Sequence, residues 1–355
     1  MEQKPIFNPI ASFRESGERE FVFTNADFER VRKLIYDHAG ISLSPAKQDM
    51  VYSRLARRLR ETRLKSFGDY LALLERGDRM EWEKFVNSLT TNLTSFFREP
   101  HHFPILAEHL KKLQGKSPIK IWCSAASTGE EPYSIAMTAV ETFNSFNVPV
   151  SIVASDLDTN VLATAAKAVY AHDRVDKISP ERLSRFFVKG TGAQSGTFSI
   201  KPELRRLVSF QRLNLLEPNW AIRGPIDALF CRNVMIYFDK STQYKILKRF
   251  APLMSENGLL FAGHSESFLH AADIFRSQGK TVYQLTPGAR EWIVRQRRRL
   301  PSGRCLRAER SSSSGLRRVE PRRSRPSCSV FRPIVCPSSS FSTCPSPSPV
   351  RLLRA

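Results

Sequence analysis

The stretch "IKIWCSAASTGEEPYSIAM", residues 119–137, sets small residues and a single glycine, Gly129, between an apolar strand-like run and a helix-like one. Small residues at a strand-to-helix turn let a ligand approach the backbone closely. Glu130 and Glu131 follow at once, and carboxylates there oppose a pyrophosphate, which wants bare N–H groups and a positive dipole. Glu131 suits instead a ligand that lacks phosphate and carries positive charge, while Glu130 reads as an acid favouring a helix start. S-adenosyl-L-methionine, with sulfonium and ammonium groups, is such a ligand. Asp156 ends "VSIVASDLD", 27 residues beyond Gly129. An acid there is either an acceptor for ribose hydroxyls or a cap for the next helix. "RLNLLE" offers Asn214 and Leu215, an amide and an apolar wall for an adenine ring. "FCRNVMIYF" carries Arg232, Asn233 and Tyr237 where a transferred group belongs. Polar residues inside so apolar a segment are costly unless satisfied, which makes them site candidates.

The elements that position these residues alternate. From Ile119 onward, apolar strand-like runs ("IKIWCSA", "VSIVASDLD", "LVSFQRLNL", "DALFCRNVMIYF", "GLLFAGHSE", "TVYQL") are interleaved with helical stretches. That rhythm predicts a mainly parallel sheet covered on both faces, an α/β fold of the Rossmann-like kind. "SRFFVKGTGAQSGTFSIKPELRR" interrupts it, and its glycines and the alternating "GTFSIK" predict a small β-hairpin insertion at about 184–206. Residues 24–92 are helical throughout, with an N-cap signal at Thr24 or Asn25 and a stop at Gly40. In "MVYSRLARRLRETR" the residues Arg54, Arg57 and Arg58 are expected on the face opposite Leu55 and Leu59.

The net charge of +21 suggests nucleic acid or anionic surfaces until its location is examined. Residues 289–355 hold 16 Arg, no Lys and 3 Glu, a net of +13; subtracting this from +21 leaves +8 for residues 1–288. The Ser/Pro/Arg-rich tail shows no helical or strand period and reads as disordered. Its lack of Lys fits an extension foreign to the working protein better than a nucleic-acid-binding arm. Four of the six cysteines lie in this tail, while Cys123 and Cys231 sit in apolar runs as buried thiols. No metal site is expected: no Cys/His cluster has ligand spacing, and His101 and His102 would point apart on a helix. "GHSES" (263–267) lacks the second glycine of a serine-hydrolase elbow. Without an apolar leader or a membrane-spanning run, a cytoplasmic location and no membrane insertion are expected.

"TNLTSFFREPHHF" (91–103), "AASTGEEPYSIAM", "ASDLD", "NLL", "FCRNVMIYFD" and "LLFAGHSESF", in that order, resemble the chemotaxis receptor methyltransferases, the CheR family. The resemblance runs from about Phe28 to Leu285. It implies methyl transfer from S-adenosyl-L-methionine to glutamate side chains of the cytoplasmic domain of methyl-accepting chemotaxis receptors. It also implies that Asn92, Thr94, Arg98, Glu131, Asp156, Asn214, Leu215, Arg232 and Asn233 contact the cofactor. Arg98 and Tyr237 would lie nearest the transferred methyl, with Arg54, Arg57 and Arg58 helping to recognise the receptor. The division expected is an N-terminal extension (1–23), a helical receptor-recognition domain (24–92), a methyltransferase domain (93–288) and the tail (289–355). The insertion is a candidate for binding a receptor's C-terminal peptide, and a monomer is expected. Two other readings stay open: a methyltransferase acting on nucleic acid, and a non-catalytic module that senses S-adenosyl-L-methionine and docks on a receptor.

Overall fold

The computed structural model describes residues 19–90 and 92–299. Four helices come first: α1 (Asn25–Ala39), α2 (Gln48–Thr62), α3 (Phe67–Glu75) and α4 (Arg79–Leu89). Thr24 starts α1 through a reciprocal capping box with Asp27, and Gly40 ends it in the left-handed region, φ +66°. Val31, Ile35, Leu55, Leu59, Tyr70 and Phe85 form the core of this unit.

The remaining elements, in chain order, are α5 (His102–Lys112), β1 (Ile119–Cys123), α6 (Glu130–Phe143), β2 (Val150–Asp156), α7 (Thr159–Lys167), β3 (Val169–Ala171), α8 (His172–Val175), α9 (Pro180–Phe186), β4 (Phe187–Lys189), β5 (Thr197–Ile200) and α10 (Pro202–Arg205). Then come β6 (Val208–Arg212), β7 (Ile226–Cys231), α11 (Lys240–Phe250), β8 (Met254–Ala262), β9 (Phe275–Ser277), β10 (Val282–Leu285) and α12 (Pro287–Arg299). Among the described residues, seven strands form one sheet in the order β6-β2-β1-β7-β8-β10-β9, and three form a second, β3-β5-β4. β1 is parallel to β2 on one side and β7 on the other, so strand order reverses at β1. β10 runs antiparallel to β8 and β9.

Alternation along β1 builds both cores at once. Ile121 and Cys123 face one cluster with Phe230 and Phe261, whose rings stack at 4.2 Å. Trp122 faces the other with Leu229 and Phe250, its indole N–H donating to Ser155 Oγ at 2.9 Å. The switch point beside β1 therefore opens at the carboxyl ends of β1, β2 and β7, where α/β sheets hold ligands.

Three expectations change. The insertion is a three-stranded lobe, because Val169–Ala171 pairs with β5 (Val169 opposite Ser199) before the β4–β5 hairpin closes. The tail boundary moves: α12 extends the ordered chain to Arg299, since Ala289 and Ile293, four residues apart, pack into the second core. The rest of the Arg-rich stretch lies outside the described residues. Finally, the arginines of α2 do not share one exposed face opposite Leu55 and Leu59. Arg58 is buried, Nε and Nη2 each donating to Glu81 at 2.9 Å, with Tyr70 Oη donating to the same carboxylate at 3.0 Å. Arg54 Nη1 donates to the carbonyls of Ser88, Leu89 and Thr90 at the end of α4. Of the three, Arg57 is the exposed one, paired with Glu61 at 3.1 Å.

Reversing Arg58 sets two carboxylates against each other in the helical core, whereas Arg57 stands in water. Arg58→Glu is expected to cost about 3–5 kcal/mol of stability, and Arg57→Glu less than about 0.5 kcal/mol. Urea denaturation of both variants checks this, and equal midpoints would refute the buried role.

Candidate active site

The turn after β1 is shaped by contacts on its own backbone. Gly129 has φ +99°, and a Cβ there would lie 2.8 Å from Tyr170 Oη and 2.9 Å from Ala165 Cβ. Its N–H groups are largely spent inside the protein: Ser124 N–H bonds Phe230 O, Ala126 N–H bonds Ser155 O, and Gly129 N–H bonds Ala126 O. Ser127 N–H bonds Asp156 Oδ2 at 2.8 Å. Those four N–H groups are therefore not free to cradle an anion. Glu130 does not line the cleft; it is fully buried and ion-paired with Arg174 from α8.

Glu131 does line the cleft, but its charge is answered. Arg232, whose side chain is 1% exposed, donates Nη1 to Glu131 Oε2 at 2.7 Å and Nη2 to the carbonyl of Arg98 at 2.5 Å. The same Nη2 stands 3.3 Å from Glu99 Oε2. Burial pushes Glu131 above the usual carboxylate range despite that partner. Burial also raises Glu99, but Arg232 with hydrogen bonds from His264 and Asn233 overrides it and holds the carboxyl at about 2. His101 and His102 do not point apart: their rings stand 4.2 Å apart, and ligand atoms of both and of Glu99 lie within 4.8 Å of one another. Arg232 already supplies the positive charge at that carboxylate, and burial followed by Arg232 lowers His102 to about 4.

The other expected residues reach the same cleft, of about 940 Å³ with its open mouth. Asp156, raised to about 6 chiefly by burial, accepts from Ser127 and from Asp158 N–H. Asn214 donates to His38 O and accepts from Leu216 N–H, each at 2.9 Å, leaving one N–H and one lone pair for a ligand. Leu215 forms an apolar wall. Asn92 donates to Asp158 Oδ2 at 2.8 Å, and Arg98 Nη1 to Leu93 O at 2.7 Å. Thr94, Asn233 and Tyr237 line the cleft with them. Arg54, Arg57 and Arg58 do not line it. Residues unforeseen from sequence do: Ala39 and Ile41 after α1, Leu89 and Thr90 at the end of α4, and Val234 and Phe238 beside Tyr237. Glu99 and Glu266, which hold the wall from behind, were also missed; each stood inside a polar motif with no periodic signal. The arrangement offers carboxylate acceptors, an amide, a guanidinium and apolar walls, and it can align a carboxylate nucleophile with a cationic alkyl donor.

Two family descriptions match the chain: "CheR methyltransferase, all-alpha domain" over residues 26–90 and "CheR methyltransferase, SAM binding domain" over residues 92–284. Chemotaxis protein methyltransferase 2 of Pseudomonas aeruginosa is 53% identical over 268 residues, covering 75% of this chain and 95% of the relative. The chemotaxis protein methyltransferase of Escherichia coli K12 is 50% identical over 264 residues, covering 74% and 92%. Chemotaxis protein methyltransferase 1 of P. aeruginosa is 35% identical over 275 residues, covering 74% and 96%.

Arg232→Ala leaves Glu99 and Glu131 buried without their counter-charge. The expected loss is about 3–5 kcal/mol, read as a lowered urea midpoint at unchanged slope. A shift equivalent to less than about 1 kcal/mol would show that the two carboxylates do not depend on it.

Proposed function

The chain belongs to the CheR methyltransferase family, and we propose from that premise that it esterifies glutamate side chains of chemoreceptors with the methyl group of S-adenosyl-L-methionine. It is an S-adenosyl-L-methionine-dependent methyltransferase of chemotaxis. The observation that carries the glutamate reading is the convergence of six chain segments on one cleft with no histidine or lysine in its lining. A glutamate carboxylate, with a reference pKa near 4.3, is already anionic at neutral pH and needs no general base. The rival acting on nucleic acid finds no support in the relatives.

The donor set fits the cofactor. Asp156 supplies acceptors for ribose hydroxyls, Asn214 and Leu215 an amide and a wall for the base, and Arg98 a cation for a carboxylate. Asn92, Thr94, Glu131, Arg232 and Asn233 complete the cofactor wall. When bound, S-adenosyl-L-methionine supplies a methyl group activated by sulfonium. The protein's part is to hold the acceptor oxygen in line with the carbon–sulfur bond and to exclude water. Arg98 and Tyr237 do that positioning. With the cofactor held by these residues, its methyl would pass to a carboxylate that is already deprotonated, so the protein would have no proton to move.

The receptor's cytoplasmic domain is the proposed partner, approached by the helical unit with Arg57 as its exposed basic contact. The outer edge of β4, with Val188 half exposed, is proposed to accept a receptor's C-terminal peptide by strand addition. No helix among the described residues is long and apolar enough to cross a membrane. We place the enzyme in the cytoplasm, working as a monomer.

Incubation with methyl-labelled cofactor and receptor membranes should give alkali-labile label in the receptor. Label in RNA, or binding without transfer, would overturn the reading. Arg98→Ala should lower turnover by roughly a hundredfold while the fold survives, and near-normal turnover would remove Arg98 from its role. Asp156, titrating at about 6, loses an acceptor as pH falls through that value. Cofactor affinity should then weaken by roughly tenfold between pH 7.5 and 5. Calorimetry on Asp156→Asn should show this pH dependence flattened; an unaltered slope would assign it to another group.

A further inference from the structure

"GHSES" has no place in the proposed reaction, yet its residues converge on the wall that carries Asn233 and Tyr237. Glu266 is buried, and its carboxylate has no cationic partner among the contacts it makes. It is satisfied by backbone instead. Oε2 accepts from Asn233 N–H at 2.9 Å and Gly263 N–H at 2.5 Å, and Oε1 accepts from Met235 N–H at 2.7 Å. Two of those donors belong to the segment between β7 and α11. Asn233 is held there at φ +57°, a conformation that a non-glycine residue keeps only when its surroundings impose it.

The rest of the turn serves the same contact. A Cβ on Gly263 would lie 2.5 Å from Asn233 Nδ2, 2.9 Å from Asn233 N and 2.9 Å from Glu266 Oε2, so only glycine permits the approach. His264 Nδ1 and N–H meet Glu99 Oε1 at 3.1 and 3.2 Å, on the oxygen that Asn233 Nδ2 also reaches at 3.3 Å. From the other side, Gln243 of α11 donates to the carbonyls of Met235 and Phe238 at 2.8 and 3.0 Å. The segment bearing Tyr237 is thus gripped by carbonyl-seeking and N–H-seeking groups together.

We propose that Glu266 is a positioning residue for methyl transfer, its buried carboxylate clasping the backbone of residues 233–235 so that Asn233 and Tyr237 face the cleft in the productive geometry. A carboxylate suits this task better than an amide, because it accepts at both oxygens where Gln would turn an N–H₂ toward a backbone N–H. The inference rests on the role given above to Tyr237, and the test separates the two.

Single-turnover methyl transfer is measured for the folded full chain, per active site titrated with cofactor, in Glu266→Gln, Tyr237→Phe and the double variant. Glu266→Gln is expected to slow transfer at least tenfold while the dissociation constant of S-adenosyl-L-methionine moves less than threefold. A merely structural loss would reduce the number of titratable sites and leave the rate per site unchanged. In the double variant the Glu266→Gln effect should shrink to under threefold, since a misplaced ring and a ring without its hydroxyl fail alike. A rate per site within twofold of the unmodified protein, or losses that simply multiply, overturns the clasp. Transfer that survives Tyr237→Phe overturns the role of Tyr237 itself, whereas transfer lost there but kept in Glu266→Gln overturns only the clasp. If Glu266→Gln does not fold, Glu266→Asp, which keeps the charge on a shorter arm, is read by the same rates and limits.

Discussion

A guanidinium without access to water, held between two carboxylates, is the contact on which the rest of the cleft depends. Arg232 follows β7, Glu131 lies in the first turn of α6, and Glu99 precedes α5, so one side chain ties three separate segments together. Removing each charge from water costs several kcal/mol, recovered only where partners stand at hydrogen-bond distance. That condition makes the arrangement unforgiving. The segments cannot shift by an ångström without stranding a buried charge, which gives the cleft the rigidity that positioning needs.

The two acids of the opening turn divide between two tasks of the same kind. Glu130 reaches Arg174 in the lobe, whose Nη2 also touches Thr94 O, while Glu131 reaches Arg232 beside the central strands. Each acid staples a different part of the molecule to the start of α6. In the turn before α6, Ser124, Ala126, Ser127 and Gly129 have already used their N–H groups inside the protein.

Sequence shows periodic features and local motifs well, and long-range partners poorly. Ile121, Trp122 and Cys123 alternate between two cores as strand patterning requires, and ten residues picked from motifs line one cleft. Arg58 was misread because nothing local distinguishes an arginine facing solvent from one facing Glu81, 23 residues later. Val169–Ala171 was missed because three residues carry no usable period, although pairing with β5 makes them a strand. Ile293 was lost among arginines, where two apolar residues one helical turn apart make too weak a stripe. Glu99 and Glu266 were not singled out, since burial, not residue type, gives them their roles.

The helical unit is more than an appendage for finding a partner. Ala39, Ile41, Leu89 and Thr90 form part of the cleft wall, so a ligand there touches both units. The seam is held by direct bonds: Asn214 to His38 O, Ser42 N–H to Tyr237 O, Tyr36 to Asp239, and Asn92 with Thr90 to Asp158. Gly40 lies so close that a Cβ would stand 2.5 Å from Leu216 Cδ1. A ligand bridging such a seam stabilises the joined arrangement by its own binding energy. By reciprocity, whatever braces the helical unit against the sheet also tightens the cleft. The helical unit therefore shares a wall with the cleft proposed to hold the cofactor, and Tyr237, whose carbonyl accepts from Ser42, lies on the seam between the units.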